Sequence, residues 1–276
     1  MTQEYHSNAT PSLRLVQKLA SEGFRIFTTE DVRKMASEVG LSKGYVLQAL
    51  HHLVRTGWLV RLRNGLYALS SATPGVSPAH ELEVGMALVQ PAAISHFSAM
   101  HHYELTEQIP NQVFITTTAG QWIPHGRKER GDGSGYQVGD TVYQFIRVKP
   151  ERFFGTETAW VEESRVTFMD MARTLTDGLM MPQHCGGIAE VLHGFQVAQE
   201  RFNLDQLVDY ALRLGGATAK RLGWVLEHIG FEPSKLTELK QVKVTGYSKL
   251  DPTGPREGPY NRFWMIQENL SGKAHS

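Results

Sequence analysis

Residues Phe27–Leu69 read FTTEDVRKMASEVGLSKGYVLQALHHLVRTGWLVRLRNGLYAL, a stretch that predicts a helix, a turn, a second helix and a β-hairpin. The first helix is predicted to begin at Thr28 or Thr29, because threonine is a good N-cap residue and acidic residues follow in the first turn. It is predicted to end at Gly40, since glycine readily adopts the left-handed conformation that closes a helix.

The second helix is predicted to run from Ser42, as its N-cap, to Arg55, with Gly57 ending it. Four apolar residues recur at helical spacing and predict its buried stripe: Val46, Leu47, Leu50 and Leu53. The polar residues between them fall on the other faces of the helix. This helix therefore has one face for a core and another for a polar partner.

The hairpin follows at once, as two apolar strands, 58–63 and 66–69, joined by Asn64–Gly65. Helix, turn, helix and hairpin in this order are typical of a winged helix-turn-helix. In that arrangement the second helix enters the major groove of DNA, and we expect the hairpin, or wing, to contact the adjoining backbone or minor groove.

The polar residues of this stretch suit such an interface, because Lys and Arg neutralise phosphates while amides and imidazoles bond to base edges. The candidate DNA-binding residues are Thr29, Ser42, Lys43, Tyr45, Gln48, His51, His52, Arg55, Arg61, Arg63 and Asn64. Two other interpretations stay open. In one, the basic residues are a solvated face of a small helical subdomain; in the other, the winged helix is a protein-interaction module.

The charge distribution favours DNA. The whole chain has 28 basic and 28 acidic residues, whereas the segment through Ala72 has nine basic and five acidic ones. The head is therefore net +4 and the remainder net −4, as expected if DNA binding is confined to the head.

The length of 276 residues predicts at least two domains. Breaker-rich residues 70–78 predict the boundary, giving a winged helix at 1–72 and an α/β domain at 79–276. The single cysteine, Cys185, excludes an intrachain disulfide, residues 1–11 lack the apolar core of a signal peptide, and no apolar run approaches the ~20 residues of a membrane span. We therefore expect a cytoplasmic protein.

Helical and strand patterns alternate irregularly after the linker and predict a mixed α/β (α+β) domain. Helices are predicted at 81–89, 95–103, 170–179, 187–202, 205–214 and 217–229, and strands at 112–118, 140–148 and within 160–168. Residues 262–266 predict a terminal strand or an ordered tail. Ser95 is predicted to cap the second of these helices. Residues 131–135 predict a glycine-rich turn.

An enzyme is a weaker alternative, based on His96, His101 and His102 as a metal site. Their spacing is not that of a zinc-binding HExxH helix, so we predict packing or surface histidines, with no metal, no cofactor and no catalytic residue. His184–Cys185 suggests a thiol nucleophile, but a small buried cysteine is the simpler interpretation.

Two further sets of charged residues admit a functional interpretation. Asp170 with Asp177, and Glu162 with Glu163, have the residue types of an acid–base pair, although helix caps and solvated faces explain them equally well. A basic set in the second domain either extends a DNA footprint or is solvated surface: Arg147, Lys149, Arg152 and Arg165.

Four stretches together resemble one family. They are the wing WLVRLRNGLYAL at 58–69, ISHFSAMHHYELTEQIP at 94–110, ARTLTD at 172–177 and GPYNRFW at 258–264. The chain is similar in these stretches to the AbiEi family, the antitoxins and transcriptional regulators of abortive-infection toxin–antitoxin systems of type IV. Ala172 departs from the family pattern, which has glutamate at that position.

The resemblance implies an N-terminal winged helix that binds double-stranded operator DNA and represses the protein's own operon. It also implies an α/β C-terminal domain linked to antitoxin activity, with a nucleotidyltransferase-like toxin as the functional counterpart. The alternative, that winged helix and second domain dock the toxin directly, belongs to the class of protein-interaction modules.

Overall fold

The structure is a computed structural model that describes residues 10–74, 76–120, 122, 124 and 135–270. Within them the α-helices are α1 Pro11–Ser21, α2 Thr29–Met35, α3 Val46–Arg55, α4 Glu81–Leu88, α5 His96–His102, α6 Met171–Met180, α7 Ile188–Val197, α8 Leu204–Leu214, α9 Gly216–His228 and α10 Thr237–Gln241. The strands are β1 Ile26–Thr28, β2 Leu59–Arg63, β3 Leu66–Leu69, β4 Ala93–Ile94, β5 Val113–Thr118, β6 Tyr136–Val138, β7 Thr141–Val148, β8 Thr156–Val161, β9 Ser164–Met169, β10 Ser248–Lys249, β11 Tyr260–Asn261 and β12 Ile266–Gln267. The predicted α+β class is confirmed.

The chain divides into two compact units. The first contains the residues through Val89 together with Val161–Ser164, and the second contains Gln90–Trp160 and the residues from Arg165 onward. Helix α4 falls in the first unit because it packs on β2 and its Glu83 forms an ion pair with Arg25 at 3.1 Å. The predicted domains 1–72 and 79–276 stay a prediction about independent folding.

The first unit has the element order of a winged helix-turn-helix: α1, β1, α2, α3, β2, β3. Its antiparallel sheet has the strand order β1-β3-β2, so the strand before α2 pairs beside the wing. One apolar cluster joins all three helices and the sheet: Leu15, Val16, Leu19, Phe27, Val32, Met35, Val46, Leu50, Leu53, Leu59 and Leu69 are its larger buried members.

Helix α2 begins with a reciprocal capping box. The Asp31 backbone N–H donates to the Thr28 hydroxyl, and the Thr28 backbone N–H donates to the Asp31 carboxylate at 2.8 Å. This arrangement satisfies two otherwise unpaired donors. Of the two predicted caps, Thr28 is therefore the cap and Thr29 the first helical residue. A 3₁₀ turn, Ala36–Val39, continues to Gly40, whose φ of +74° ends the helix as predicted.

The second unit is built on a six-stranded mixed sheet in the order β6-β7-β5-β4-β9-β8. Strands β5 and β7 pair in parallel along their length, from Val113↔Tyr143 to Thr118↔Val148. Helices α5 and α6 pack together, α6 also packs against α7, α8 and α9, and a small sheet β10-β12-β11 lies against α9. No helix of the described residues has both the length and the apolar content that crossing a membrane requires.

Three predicted elements of this unit are wrong in detail. The single strand within 160–168 is a hairpin, β8 and β9, which turns at Glu162 with φ +52° and without the glycine that signals a turn. The helix at 187–202 ends at Val197, because Asn203 caps a separate helix. Of the two predictions for 262–266, a terminal strand or an ordered tail, the strand is wrong, because residues 262–265 form a turn between β11 and β12. The predicted turn at 131–135 lies almost wholly outside the described residues.

Candidate nucleic-acid interface

Helix α3 has a buried stripe and an opposite polar face. Val46, Ala49, Leu50 and Leu53 are buried. At about 100° per residue, three polar side chains project roughly 150–170° away from the centre of that stripe: Gln48, His51 and Arg55, all exposed. His52 is exposed on the flank of the same face. The predicted readout residues of this helix therefore share one outward surface.

The approach to α3 differs from the prediction. Ser42 is exposed and its side chain caps no backbone N–H, so the assignment of Ser42 as a capping residue is wrong. A 3₁₀ turn, Lys43–Tyr45, leads into the helix instead, because Leu41 is buried ahead of it and fixes the entry of the chain. Lys43 and Tyr45 are exposed, Tyr45 by 63%, so they extend the outward surface of α3 at its N-terminal end.

The prediction that Leu47 is buried is wrong. The sequence assigns it to the core stripe, but it is 58% exposed. Helical geometry explains this, because Leu47 lies about 110° from the stripe centre and so beyond the apolar face. Val60 on β2 is also exposed, by 39%. An exposed leucine beside Gln48 and His51 can contact a thymine methyl group in a major groove.

The wing is a tight hairpin that holds its basic residues outward. The pairing register of β2 and β3 shifts between Arg61 and Arg63, which keeps Leu62 buried while Arg61 is exposed and Arg63 half-buried. Arg61 Nη2 donates to Asn64 Oδ1 at 3.0 Å, and Gly65 turns the chain with φ +74°. The predicted Asn–Gly turn is confirmed.

The wing tip is tied to the start of α2. The Thr29 backbone N–H donates to the Gly65 carbonyl at 3.0 Å, and the Thr29 side chain is half-buried beside the Gly65 Cα. Thr29 therefore fixes the wing relative to the helices. Of the eleven predicted residues, the structure brings the α3 set onto one face and Arg61, Arg63 and Asn64 onto the wing.

The acidic side chains of the helices are occupied away from this face. Glu30, Asp31, Glu22 and Glu38 pair with cations of α1 and α2: Arg33–Glu30 at 3.5 Å, Lys34–Asp31 at 3.8 Å, and Lys18 with Glu22 and Glu38 at 2.7 Å each. In contrast, Lys43, Arg55 and Arg61 form no ion pair with a carboxylate of the described residues. Lys43, Arg55 and Arg61 therefore place positive charge without a carboxylate partner on α3, its approach and the wing.

The ARTLTD stretch forms the most buried charged contact of the second unit. Arg173 Nε lies 3.0 Å from Asp177 Oδ1, one helical turn apart on α6, with both side chains buried and the N–H not aligned for a hydrogen bond. Arg173 Nη1 donates to the carbonyls of Arg152 and Phe154 at 2.8 Å. Burial raises the pKa of Asp177 although Arg173 opposes the shift. These contacts hold α6 to the segment that contains Arg152 and Phe154.

Asp170 is a cap rather than a general acid. It accepts from the Arg173 backbone N–H at 2.7 Å and from the Tyr210 hydroxyl at 2.8 Å, while burial raises its pKa. It borders a cavity of about 630 Å³ together with Tyr103, Glu157 and Ala172. Ala172, where the resembling family has glutamate, is thus part of a cavity wall. The polar groups of that wall bond to one another, as Tyr103 does to Glu157 at 2.6 Å.

The histidines of α5 occupy three different environments. His96 is fully buried, with Nδ1 at 2.9 Å from the Ser95 hydroxyl, and burial lowers its pKa to about 3. Ser95 makes this bond and caps no helix N–H, so its predicted capping role is wrong. His101 is exposed, and His102 stacks on Phe168 at 3.8 Å. Among the described residues, no three His, Cys, Asp or Glu side chains are grouped to hold a metal ion.

Cys185 is buried, as predicted, and burial raises the pKa of its thiol well above the ordinary value. A thiol in that state is a poor nucleophile at neutral pH.

The pair Glu162–Glu163 lies at the tip of the β8–β9 hairpin, where the Glu163 carbonyl accepts a hydrogen bond from the Arg25 side chain at 2.9 Å. These residues therefore have structural environments.

The basic set predicted in the second domain, which is Arg147, Lys149, Arg152 and Arg165, does not form one strip. Arg147 on β7 and Arg165 on β9 are both exposed. They are three strand positions apart in the sheet, which corresponds to roughly 14 Å. Arg152 is half-buried and donates to the Leu214 carbonyl at 3.3 Å, and Lys149 is exposed beside Arg147. Their arrangement therefore gives no support to an extended DNA footprint.

The first unit is similar in sequence to a known protein family. Residues 14–70 match the sequence model of the family described as transcriptional regulator, AbiEi antitoxin, which is a family of regulators rather than enzymes. No curated protein sequence matches the chain significantly. Among solved structures, the crystal structure of the RV2827C protein from Mycobacterium tuberculosis is similar, with a TM-score of 0.69 and 16% identity, covering 94% of this chain and 91% of that chain. At that identity the likeness concerns the fold alone.

Proposed function

We propose that the protein represses its own operon by occupying double-stranded operator DNA, because its residues 14–70 match the model of the AbiEi antitoxin transcriptional regulators. Helix α3 enters the major groove and the wing contacts the adjoining backbone or minor groove. The observation that supports this most is the charge arrangement. Exposed Lys43, Arg55 and Arg61 have no carboxylate partner in the described part of the chain, whereas the carboxylates of Glu22, Glu30, Asp31 and Glu38 are paired with other cations.

The proposed contacts divide into two kinds. Gln48, His51 and His52 can bond to base edges, with Tyr45 at the end of the same face. The cations neutralise phosphates and set the orientation of the helix, and the wing adds Arg63 and Asn64 to that backbone contact. Ser42 and Thr29 belong to the edge of the surface, where Thr29 acts chiefly by holding the wing tip through the Gly65 carbonyl.

Salt dependence of binding to the DNA upstream of the gene tests the proposal. Each phosphate contact contributes a slope of about −0.9 to log K against log salt concentration, so Arg55→Gln and Arg61→Gln should each reduce the slope by roughly 0.9. Charge reversal at both positions should abolish the shift. The matched control is Lys18→Gln, which removes a head cation that is already paired with Glu22 and Glu38.

Two outcomes decide against operator binding. One is the absence of any shift at low salt with the upstream DNA. The other is an equal loss of affinity in the Lys18→Gln control and in the α3 and wing variants, because the effect would then reflect total charge. Retention of a partner protein by variants that no longer bind DNA would instead favour the protein-interaction module, for which the exposed Tyr45 and Leu47 provide apolar contacts.

We also propose that the antitoxin activity is separable from operator binding and resides in the second unit. The functional counterpart is a nucleotidyltransferase-like toxin encoded beside this gene. Co-expression of the full chain with that toxin measures growth rescue. The Arg55→Glu/Arg61→Glu variant should rescue growth while it loses repression of a reporter. If that variant loses both activities while its fold is intact, both activities depend on the first unit, and the proposal that they reside in different units is wrong.

A further inference from the structure

The C-terminal part of the second unit exposes aromatic rings that have no role in its core. Tyr247 is 38% exposed, Tyr260 59% and Phe263 39%. The rings of Tyr247 and Tyr260 lie 4.7 Å apart at a tilt of 59°. Phe263 follows in the turn between β11 and β12. We call these three rings the tail platform.

The scaffold beneath the tail platform is rigid. Trp264 is fully buried, and its indole fills the space beside Gly223, where any Cβ would collide with the ring. Asn261 Oδ1 accepts the backbone N–H groups of both Phe263 and Trp264 at 3.1 Å, which fixes the turn. Glu268 accepts from Asn261 Nδ2 at 3.0 Å and further anchors it. The turn therefore holds Phe263 on the surface while Trp264 points inward.

Positive charge is concentrated in the segment of the sequence that contains these rings. Residues 240–263 contain five basic residues (Lys240, Lys243, Lys249, Arg256 and Arg262) against two acidic ones (Asp251 and Glu257), a net +3 in a second domain whose overall charge is negative. Lys240 Nζ lies 3.9 Å over the Phe263 ring, which fixes one charge by a cation–π contact. Lys240, Lys243 and Arg262 are exposed and have no carboxylate partner within the described residues.

We propose that the tail platform, with Lys240, Lys243 and Arg262, binds single-stranded nucleic acid. Exposed rings accept unpaired bases by stacking, which works for every base because each has a π-face, while fixed cations follow the backbone. A duplex cannot use the rings, since its bases already stack on one another. The positive charge selects a polyanion rather than an apolar protein surface. The residues of this site belong to the second unit, whereas those of the proposed operator-binding face belong to the first.

Fluorescence anisotropy with the full-length protein and labelled 12-nucleotide probes, (U)12 and (dT)12, tests the inference. Stacking by one base is worth about 5- to 150-fold in affinity, so Tyr260→Ala should weaken binding at least fivefold. Arg262→Gln should reduce the salt slope by roughly 0.7, as expected for one phosphate of a single strand. Both residues are exposed, so thermal unfolding should be unchanged. Preference for (U)12 or for (dT)12 assigns RNA or DNA.

Two variants make the outcome decisive. Trp160→Ala removes a ring that is 70% exposed on β8, near the acidic residues Glu157, Glu162 and Glu163, and should leave probe binding intact. Arg55→Glu/Arg61→Glu should abolish duplex binding yet retain the single strand, which separates failure of this site from failure of the head. Equal loss in Trp160→Ala and Tyr260→Ala overturns the proposal. Failure of the wild type to exceed Tyr260→Ala at low salt also overturns it and leaves the platform to a protein partner.

Discussion

Removing both partners of the Arg173–Asp177 pair should destabilise the second unit by much less than the two single removals added together. Asp177→Leu leaves a buried guanidinium without its counter-ion, although two carbonyl hydrogen bonds and the Phe154 ring at 4.4 Å still support it. Loss of one partner of a buried ion pair costs about 3–5 kcal/mol of unfolding free energy, and the remaining bonds to Arg173 place our expectation near 3. In a unit of this size, that is a fall of roughly 6–12 °C in Tm.

The double variant Arg173→Met/Asp177→Leu exchanges both charges for apolar side chains of similar volume. It removes the two desolvated charges together, so its cost should lie well below the sum of the two single costs. Urea unfolding followed by tryptophan fluorescence measures the stability of Asp177→Leu, Arg173→Met and the double variant, since Trp224 and Trp264 lie in the same unit. Single costs under about 1 kcal/mol, or strictly additive costs, would refute the idea that this pair locks α6.

Three further outcomes are expected. The reference for the first is His96→Asn, because asparagine tolerates the φ of +50° at this position. Relative to that variant, the wild type should lose about 1.4 kcal/mol of stability per pH unit as pH falls from 6.5 towards 3, because the unfolded histidine binds a proton that the buried ring refuses; a difference in urea titrations that stays constant with pH would contradict this. Asp31→Ala should cost the first unit about 1 kcal/mol in thermal unfolding at pH 7. That effect should fade as pH falls below 3.8, because the Thr28 hydroxyl lowers the pKa of Asp31; a pH-independent cost argues against the cap. Leu47→Ala should leave stability within about 0.5 kcal/mol while it weakens operator binding, whereas Leu50→Ala should cost about 2–5 kcal/mol. Similar costs at both positions would mean that Leu47 is packed.

Hydrogen-bonded polar side chains line the cavity of the second unit. Tyr103, Asp170 and Tyr210 bond within its wall or to neighbouring carboxylates, and burial raises the pKa of each of them. The two tyrosine hydroxyls therefore keep their protons at neutral pH. These hydrogen bonds join the side chains of the cavity wall, and Ala172 leaves part of that wall without the carboxylate that the resembling family has there.

The sequence by itself determined the elements whose signals are local. The threonine cap of α2, Gly40, the Asn64–Gly65 turn and the helical stripe of α3 each depend on residues a few positions apart, and all of them predicted the winged helix correctly. The excess of positive charge in the head was also visible before any contact was known, because it needs only a count along the chain.

Tertiary structure alone decided which side of a helix or strand meets a neighbour. Whether a cation is paired depends on carboxylates distant in sequence, as Lys18 shows with Glu38. The β8–β9 hairpin turns without a glycine signal, since its tip is held by a partner distant in sequence. Long-range packing, which no local pattern records, therefore placed the charges and rings on which both proposed surfaces depend.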